Sequence, residues 1–340
     1  MKVLVTGSAG FIAGYLVPEL LEAGHTVVGI DNFGKYGPIE KSYDRHERYQ
    51  FTRGDVRDTE LLRGLGRGCD MIVASAARIG GITYFHRYAY DLLAENEQTI
   101  ASTFDAAIEL HKMGELQRIV VVSSSMVFEN ATVFPTPEGH ERSCPPPTST
   151  YGFQKLACEY FARGASQQYG LPYTIVRPFN CVGIGEARAL HDADIPSGNV
   201  KLAMSHVVPD LCQKVLKGQD PLHILGSGDQ IRHYTYGADL AHGIRLAMES
   251  AAAVNDDFNL STSVDTTVRE LAEVIWHKVN GPDRRLRMVH DEPFEHDVQK
   301  RIPDTRKAER VLGFRAETSL SAMLDEVIPW IRDAIANDRI

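Results

Sequence analysis

The chain has 340 residues, 43% of them hydrophobic and 24% charged, with a formal net charge of −9. That length can bury a large core and divide into two lobes, and the acidic balance argues against nucleic acid as the main partner while leaving local arginines to hold a phosphorylated ligand. No run approaches the roughly 18 apolar residues that span a bilayer and the first strand begins at once, so no membrane partner and no signal peptide are expected, and a cytoplasmic location follows.

The apolar strand Lys2-Val3-Leu4-Val5-Thr6 runs into the glycine turn Gly7-Ser8-Ala9-Gly10, and Phe11 and Ile12 open an amphipathic helix predicted over 11–21. Without a Cβ in the way, backbone N–H groups and the positive end of the helix can meet a pyrophosphate. Ala13 stands in for the third small residue of such turns, and Pro18 is expected to remove the bond to the Gly14 carbonyl and bend the helix. The next apolar strand, 27–31, closes on Asp31, followed by Asn32, where an acid can accept both ribose hydroxyls of NAD. Further strands at 49–53, 71–75, 119–123 and 173–177 alternate with helices at 58–66, 91–112 and 150–168. Such alternation predicts an α/β fold, a Rossmann-type doubly wound parallel sheet with helices on both faces. Its ligand edge would collect Gly7, Asp31, Asp55, Ala76, Ser124 and Asn180 at the carboxyl ends of the strands.

After Asn180 the alternation stops. A stretch at 183–199 reads as a long loop or lid, and Phe258-Asn259-Leu260 reads as a strand returning to the sheet. The expected organisation is a cofactor domain over 1–180 with 236–260 returning to it, a smaller, discontinuous α/β substrate-binding lobe over 181–235 and 261–318, and a C-terminal helix in 319–340. The five cysteines, Cys69, Cys144, Cys158, Cys181 and Cys212, are odd in number and scattered, as suits reduced thiols better than disulfides or zinc; no metal is expected.

Tyr151 and Lys155 lie four apart on one helical face. A phenol titrating near pH 10 is a poor base at neutral pH, and bringing it to about 7 takes roughly 4 kcal/mol of differential stabilisation, which an ammonium and a positive nicotinamide ring can supply. Ser123-Ser124-Ser125 ends an earlier strand at the same sheet edge, where Ser124 can orient a reacting oxygen while Ser123 and Ser125 read as backbone caps. The glycine-rich lead-in Gly226-Ser227-Gly228-Asp229 puts Arg232 on a loop. Arg78, His86 and Arg87 read as a solvated helix start, and Tyr84, Phe85, Tyr88 and Tyr90 as helix packing.

Taken together, Thr6-Gly7-Ser8-Ala9-Gly10-Phe11-Ile12, Gly54-Asp55-Val56, Ala76-Ala77, Ser123-Ser124, Tyr151-x-x-x-Lys155, Arg177-Pro178-Phe179-Asn180 and Arg232-His233-Tyr234-Thr235-Tyr236 resemble the extended short-chain dehydrogenases/reductases, the NAD-dependent nucleotide-sugar epimerase/dehydratase family, over nearly the whole chain. The resemblance implies NAD kept through turnover and Ser124, Tyr151 and Lys155 as catalytic residues. It also implies Asp55 and Val56 beside the adenine, and a sugar-nucleotide pocket holding Ser125, Met126, Asn180, His206, Val207 and Arg232, with Arg232 on the diphosphate. A homodimer built from the helices at 91–112 and 150–168 is implied too.

The departures narrow the chemistry. Ala74-Ser75 replaces the family's usual His-Leu and alters the floor under the nicotinamide. Where related dehydratases carry an Asp-Glu pair and uronate decarboxylases a glutamate, this chain has Ser125-Met126; 3,5-epimerases put a cysteine at Met126, and a thioether exchanges no proton. Gly185 stands where uronate 4-epimerases carry an arginine. Ala76-Ala77-Arg78-Ile79-Gly80-Gly81-Ile82 and Ser205-His206-Val207-Val208-Pro209 lean the other way, toward GDP-sugar enzymes. The expected activity is C4 epimerisation of a nucleoside-diphosphate sugar, with a 4-ketosugar reductase, a GDP-sugar-type 3,5-epimerase or dehydratase, and an NAD-sensing protein as alternatives.

Overall fold

Short strands that are apolar on both faces satisfy their backbone and bury both faces only inside a sheet covered on each side. The structure, a computed structural model, describes residues 1–79, 88–186, 188–190, 195–202, 206–293 and 298–340, with 195 and 196 described by backbone alone. Its main sheet has seven strands, β1 (Lys2–Thr6), β2 (Thr26–Asp31), β3 (Tyr49–Arg53), β4 (Met71–Ala74), β5 (Arg118–Val122), β6 (Tyr173–Pro178) and β7 (Asp256–Leu260). They are all parallel, in the order β7-β6-β5-β4-β1-β2-β3. The chain winds outward from β1 to β3, crosses back, and continues outward from β4. Its switch point therefore lies between β1 and β4, where Val3 registers with Val27 on one side and Met71 on the other.

Two helical layers cover the sheet, as expected of a doubly wound fold. Helices α1 (Phe11–Glu22), α2 (Thr59–Gly66), α3 (Ala89–Lys112), α4 (Thr150–Tyr169), α5 (Val207–Leu216), α6 (Gly237–Glu249) and α7 (Val268–Asn280) follow in chain order. Leu16, Val17 and Leu20 of α1 and Leu240 and Ile244 of α6 pack on Val3, Val5 and Val73; on the opposite face Leu62, Phe104, Leu110 and Ala162 of α2, α3 and α4 pack on Leu4, Ile72 and Ile119. That split follows the two-residue period of a strand. A third core gathers α5, α7 and the C-terminal helix Leu320–Ala336 through Leu211, Leu271, Leu324 and Ile331, against Leu222 and Ile224 of the parallel pair Leu222–Leu225 and Met288–Asp291.

Helix α1 runs on through Pro18 to Glu22, its buried face of Leu16, Val17, Leu20 and Leu21 outweighing the one lost bond. The sequence 183–199 is not one long loop: Ile195–Ser197 pairs antiparallel with Val200–Leu202. Arg232 sits in a short strand, Ile231–Arg232, paired antiparallel with Thr266–Thr267, and not on a loop. Tyr90 is 80% exposed, against the expectation of packing, whereas Tyr88 packs beside Leu92 and Tyr151. Tyr84, Phe85, His86, Arg87 and Ser205 lie outside the described residues. Among the described residues no helix is long and apolar enough to cross a membrane.

Candidate active site

The turn after β1 is built to bring two strand ends together. Gly7 adopts φ +70°, and a Cβ on it would stand 2.8 Å from the Ala76 Cα, so glycine alone fits. Thr6 Oγ1 accepts the N–H groups of Ser75 and Ala76, each at 3.1 Å, and the Ser75 hydroxyl donates to the Thr6 carbonyl at 2.5 Å. Ser75 therefore laces the switch point shut. Gly10 caps α1 with no side-chain bond, leaving the first-turn N–H groups of the helix without an intrahelical partner at the cleft lined by Gly7, Gly10, Phe11 and Ile12. This cradle, which a Cβ would fill, fits a dinucleotide pyrophosphate.

Asp31 is fixed by its own turn, accepting from Ala9 N at 3.1 Å and Phe33 N at 2.7 Å. Burial pushes its carboxyl above the usual range, and those N–H bonds and the Lys41 charge hold the rise in check. Asp55 is gripped by Arg57 through bonds of 3.0 and 2.7 Å that hold its carboxyl below the usual range. Asp55, Asn32, Val56 and Ala76 all line the cleft.

The chemical half of the cleft hangs on α4, whose start is fixed by Ser149 Oγ accepting from Gly152 N at 3.0 Å. One turn in, Lys155 donates its Nζ to the Val122 carbonyl at 2.9 Å, pinning the ammonium beneath the end of β5, with Tyr151 above it; the two are 5% and 9% exposed. Ser124 lies just past that strand end. Its Oγ accepts from Met126 N at 3.2 Å, capping the turn Ser125–Phe128, while the Ser123 hydroxyl donates to Glu159 Oε1 at 2.7 Å. The capping role predicted for Ser123 and Ser125 thus falls to Ser124, because its extended backbone points Oγ back at the turn it starts. Accepting one bond leaves the Ser124 hydroxyl its proton to donate.

Asn180, at φ +36°, donates through Nδ2 to the His233 carbonyl at 3.3 Å and accepts from Arg301 Nη1 at 3.3 Å; Arg301 Nη2 lies 2.8 Å from the Met126 sulfur. His206, at the start of α5, is bonded to Glu186, whose carboxyl burial would raise but the His206 charge holds low. Every residue expected to be catalytic or to bind cofactor or substrate, including Ser125, Val207 and Arg232, lines one cleft of about 920 Å³.

Sequence reasoning missed Arg301, Glu186 and Arg57, which line it as well. Arg301 sits in Lys300-Arg301-Ile302-Pro303-Asp304, with no spacing that ties it to the motifs, and arrives through the bridge between Ile231 and Lys300. Arg78 also lines the cleft, paired with Glu95 at 2.5 Å, which overturns its reading as a solvated residue: Asn96 draws its backbone inward through bonds of 2.7 and 2.9 Å. A phenol, an ammonium and a hydroxyl at one end suit proton transfer coupled to hydride transfer, and two guanidinium groups suit a diphosphate.

The model of the "NAD dependent epimerase/dehydratase family" matches residues 3–261. A putative UDP-glucose 4-epimerase of Methanocaldococcus jannaschii is 26% identical over 97% of this chain and 98% of its own. A UDP-N-acetyl-alpha-D-glucosaminuronate decarboxylase of Bacillus cytotoxicus is 27% identical over 99% of each chain. Among solved structures, the UDP-glucose 4-epimerase of Thermotoga maritima with UDP-glucose superposes with a TM-score of 0.79 at 27% identity, covering 98% of this chain and 100% of that one. The dTDP-glucose 4,6-dehydratase DesIV of Streptomyces venezuelae, solved with NAD, shares the fold with a TM-score of 0.83 at 24% identity, covering 99% and 98%.

Proposed function

The chain belongs to the NAD dependent epimerase/dehydratase family, and from that membership we propose that it epimerises a nucleoside-diphosphate sugar at C4. The observation that carries this reading is the meeting, in one cleft, of Ser124, Tyr151 and Lys155 with the Gly7–Gly10 cradle, while a thioether, Met126, occupies the neighbouring position. Gly7, Gly10, Phe11 and Ile12 would surround the pyrophosphate of NAD, Asp31 and Asn32 its adenosine ribose, Asp55 and Val56 its adenine, and Ala76, Tyr151 and Lys155 the nicotinamide end. Bound there, NAD supplies a hydride acceptor that later gives the hydride back.

Tyr151 takes the proton of the sugar hydroxyl as C4 is oxidised and returns it on reduction. Ser124 donates to the reacting oxygen and holds it in line. Lys155, fixed on the Val122 carbonyl, places its charge where it favours the phenolate. Arg232 and Arg301 hold the diphosphate, Ser125, Met126 and Asn180 border the sugar, and His206 and Val207 the nucleoside side. We assign 1–180 with 236–260 to the cofactor domain and 181–235 with 261–318 to the substrate lobe, onto which the C-terminal helix packs.

The chain would work as a cytoplasmic homodimer. Helices α3 and α4 pack together, and α4 turns Phe153, Ala157, Tyr160 and Gly164 outward along one face, with Phe153 49% and Tyr160 63% exposed. A second copy presenting the same face would cover them and form a four-helix contact. All five cysteines are free thiols, as suits a reducing compartment.

Purified protein mixed with UDP-glucose, dTDP-glucose and GDP-mannose should convert one of them to its C4 epimer, seen by NMR, with no added cofactor. A reductase would instead consume one NADH per product. A second reading, proton exchange at a carbon beside the ketone, rests on the Glu186–His206 pair, an acid–base couple in the same cleft.

A further inference from the structure

The turn Ser125–Phe128 that follows β5 ends on Glu129, whose N–H closes it on the Met126 carbonyl at 3.1 Å. From there the chain reaches across to the loop that leads into α4. Glu129 Oε2 accepts both the N–H and the hydroxyl of Ser149, each at 2.9 Å, and among the described residues no bond falls on its other oxygen. Asn130 Nδ2 donates to the Pro146 carbonyl at 2.7 Å and to Thr148 Oγ1 at 3.0 Å. Four bonds thus staple residues 129–130 to 146–149.

Ser149 caps the start of α4, two residues before Tyr151. Its hydroxyl donates to Glu129 while accepting from Gly152 N at 3.0 Å, so the bond that starts the helix and the bond that anchors it share one oxygen. Packing presses at the same place. A Cβ on Gly152 would stand 2.8 Å from the Met126 carbonyl oxygen and 3.1 Å from Glu129 Oε2, so glycine is what lets the turn and the helix approach this closely. Ser124, which opens the turn, and Tyr151, in the first turn of α4, therefore come from two segments whose spacing is set at Glu129. Lys155 is placed separately, by the Val122 carbonyl. Glu129, Ser149, Ser124 and Tyr151 all line the cleft.

We propose that Glu129 is a positioning residue: by holding Ser149 it sets Tyr151 against Ser124, so that phenol and hydroxyl meet the same substrate oxygen. This rests on the epimerase reading of the cleft, in which both groups act on one oxygen. The anchor needs an acceptor and not a charge, since both bonds from Ser149 fall on one oxygen and an amide carbonyl, with two lone pairs, can take both. Proton transfer tolerates little misplacement, an error of about 1 Å costing up to about 100-fold in rate. Cofactor and diphosphate are held by other residues, so loss of the anchor shows in kcat and not in KM or NAD affinity.

The test compares Glu129→Ala, which removes the acceptor, with Glu129→Gln, which keeps it without the charge. On the nucleoside-diphosphate sugar that the parent converts, kcat should fall at least about tenfold in Glu129→Ala and stay within about twofold in Glu129→Gln. KM, NAD affinity and melting temperature should stay close to the parent's in both, because Ser149 still caps α4. Crystal structures should show the Tyr151 hydroxyl displaced relative to Ser124 by about 1 Å in Glu129→Ala and unmoved in Glu129→Gln. An unmoved Tyr151 or a kcat near the parent's in Glu129→Ala overturns the role. So does a Glu129→Gln variant as slow as Glu129→Ala, which would mean that the carboxylate charge itself acts on the substrate, or a Glu129→Ala melting temperature several degrees lower, which would mean that Glu129 holds the fold. A parent that binds NAD but converts no nucleoside-diphosphate sugar overturns the proposed function instead, and the crystallographic comparison still decides whether Glu129 places Tyr151.

Discussion

In the proposed mechanism the chemistry turns on Tyr151, and its replacement by phenylalanine keeps the ring that packs beside Leu92 and Met126. Tyr151→Phe should therefore bind cofactor and nucleotide normally while turnover falls by about 100-fold or more, the scale of lost acid–base catalysis; steady-state rates near the parent's would remove Tyr151 from the mechanism. In the proposed site Asp31 would govern cofactor choice. Its carboxylate, held by Ala9 N and Phe33 N, lines the cleft and would repel a 2′-phosphate, so NAD should bind at least about tenfold more tightly than NADP, about 1.4 kcal/mol. Calorimetry giving equal affinities would contradict it. These residues were legible because each chemistry has a local signature: glycines at a strand–helix turn, an acid at the next strand end, a phenol and an amine one helical turn apart. Arg301 was not, since only folding brings it beside Met126 and Asn180. Nor was the capping of the turn by Ser124 in place of Ser123, whose hydroxyl faces Glu159 instead.

At the scale of elements, α4 carries both Lys155 and Glu159, and Glu159 joins it to the sheet. Arg177 of β6, fully buried, donates to Glu159 through Nε and Nη2 at 2.7 Å each and to Asp257 of β7 at 2.5 Å. Burial alone would push the Asp257 carboxyl up, but the Arg177 and Lys307 charges outweigh it and hold the group below the usual carboxylate range. A carboxyl depressed in the folded state stabilises above its unfolded pKa, near 4, and that contribution is lost as pH falls through the folded value. Asp257→Asn should cost about 2 kcal/mol at pH 7, the worth of a charged hydrogen bond, and the gap in melting temperature from the parent should narrow between pH 4 and 3. A gap that stays constant from pH 7 to pH 3 would contradict this account of β7. The seven main strands could be read from their apolar runs, the last only at its return. The hairpin at Ile195–Ser197 and Val200–Leu202 could not, because strands of three residues carry no period to read.

For the molecule as a whole, the cleft joins two sources: the sheet edge supplies the cradle at the switch point and Ser124, Tyr151 and Lys155 at the end of β5 and on α4, while residues after 180 supply Arg232, Tyr234, His206 and Arg301. If a dimer forms through α3 and α4, sedimentation should show a species of twice the chain mass. Tyr160→Glu, placing a charge on the outward face, should shift it to monomer; a parent that is monomeric at 50-fold dilution and at stock concentration alike would contradict the dimer. The central claim is that only hydride and a hydroxyl proton move, because Met126 exchanges no proton and the oxidised carbon is turned in the pocket and reduced again on its other face. The most direct test runs the active nucleotide sugar to equilibrium in deuterated water and reads the product by mass spectrometry and NMR. A C4 epimer with no carbon-bound deuterium is predicted; deuterium at C3 or C5 would contradict it and turn attention to the Glu186–His206 pair.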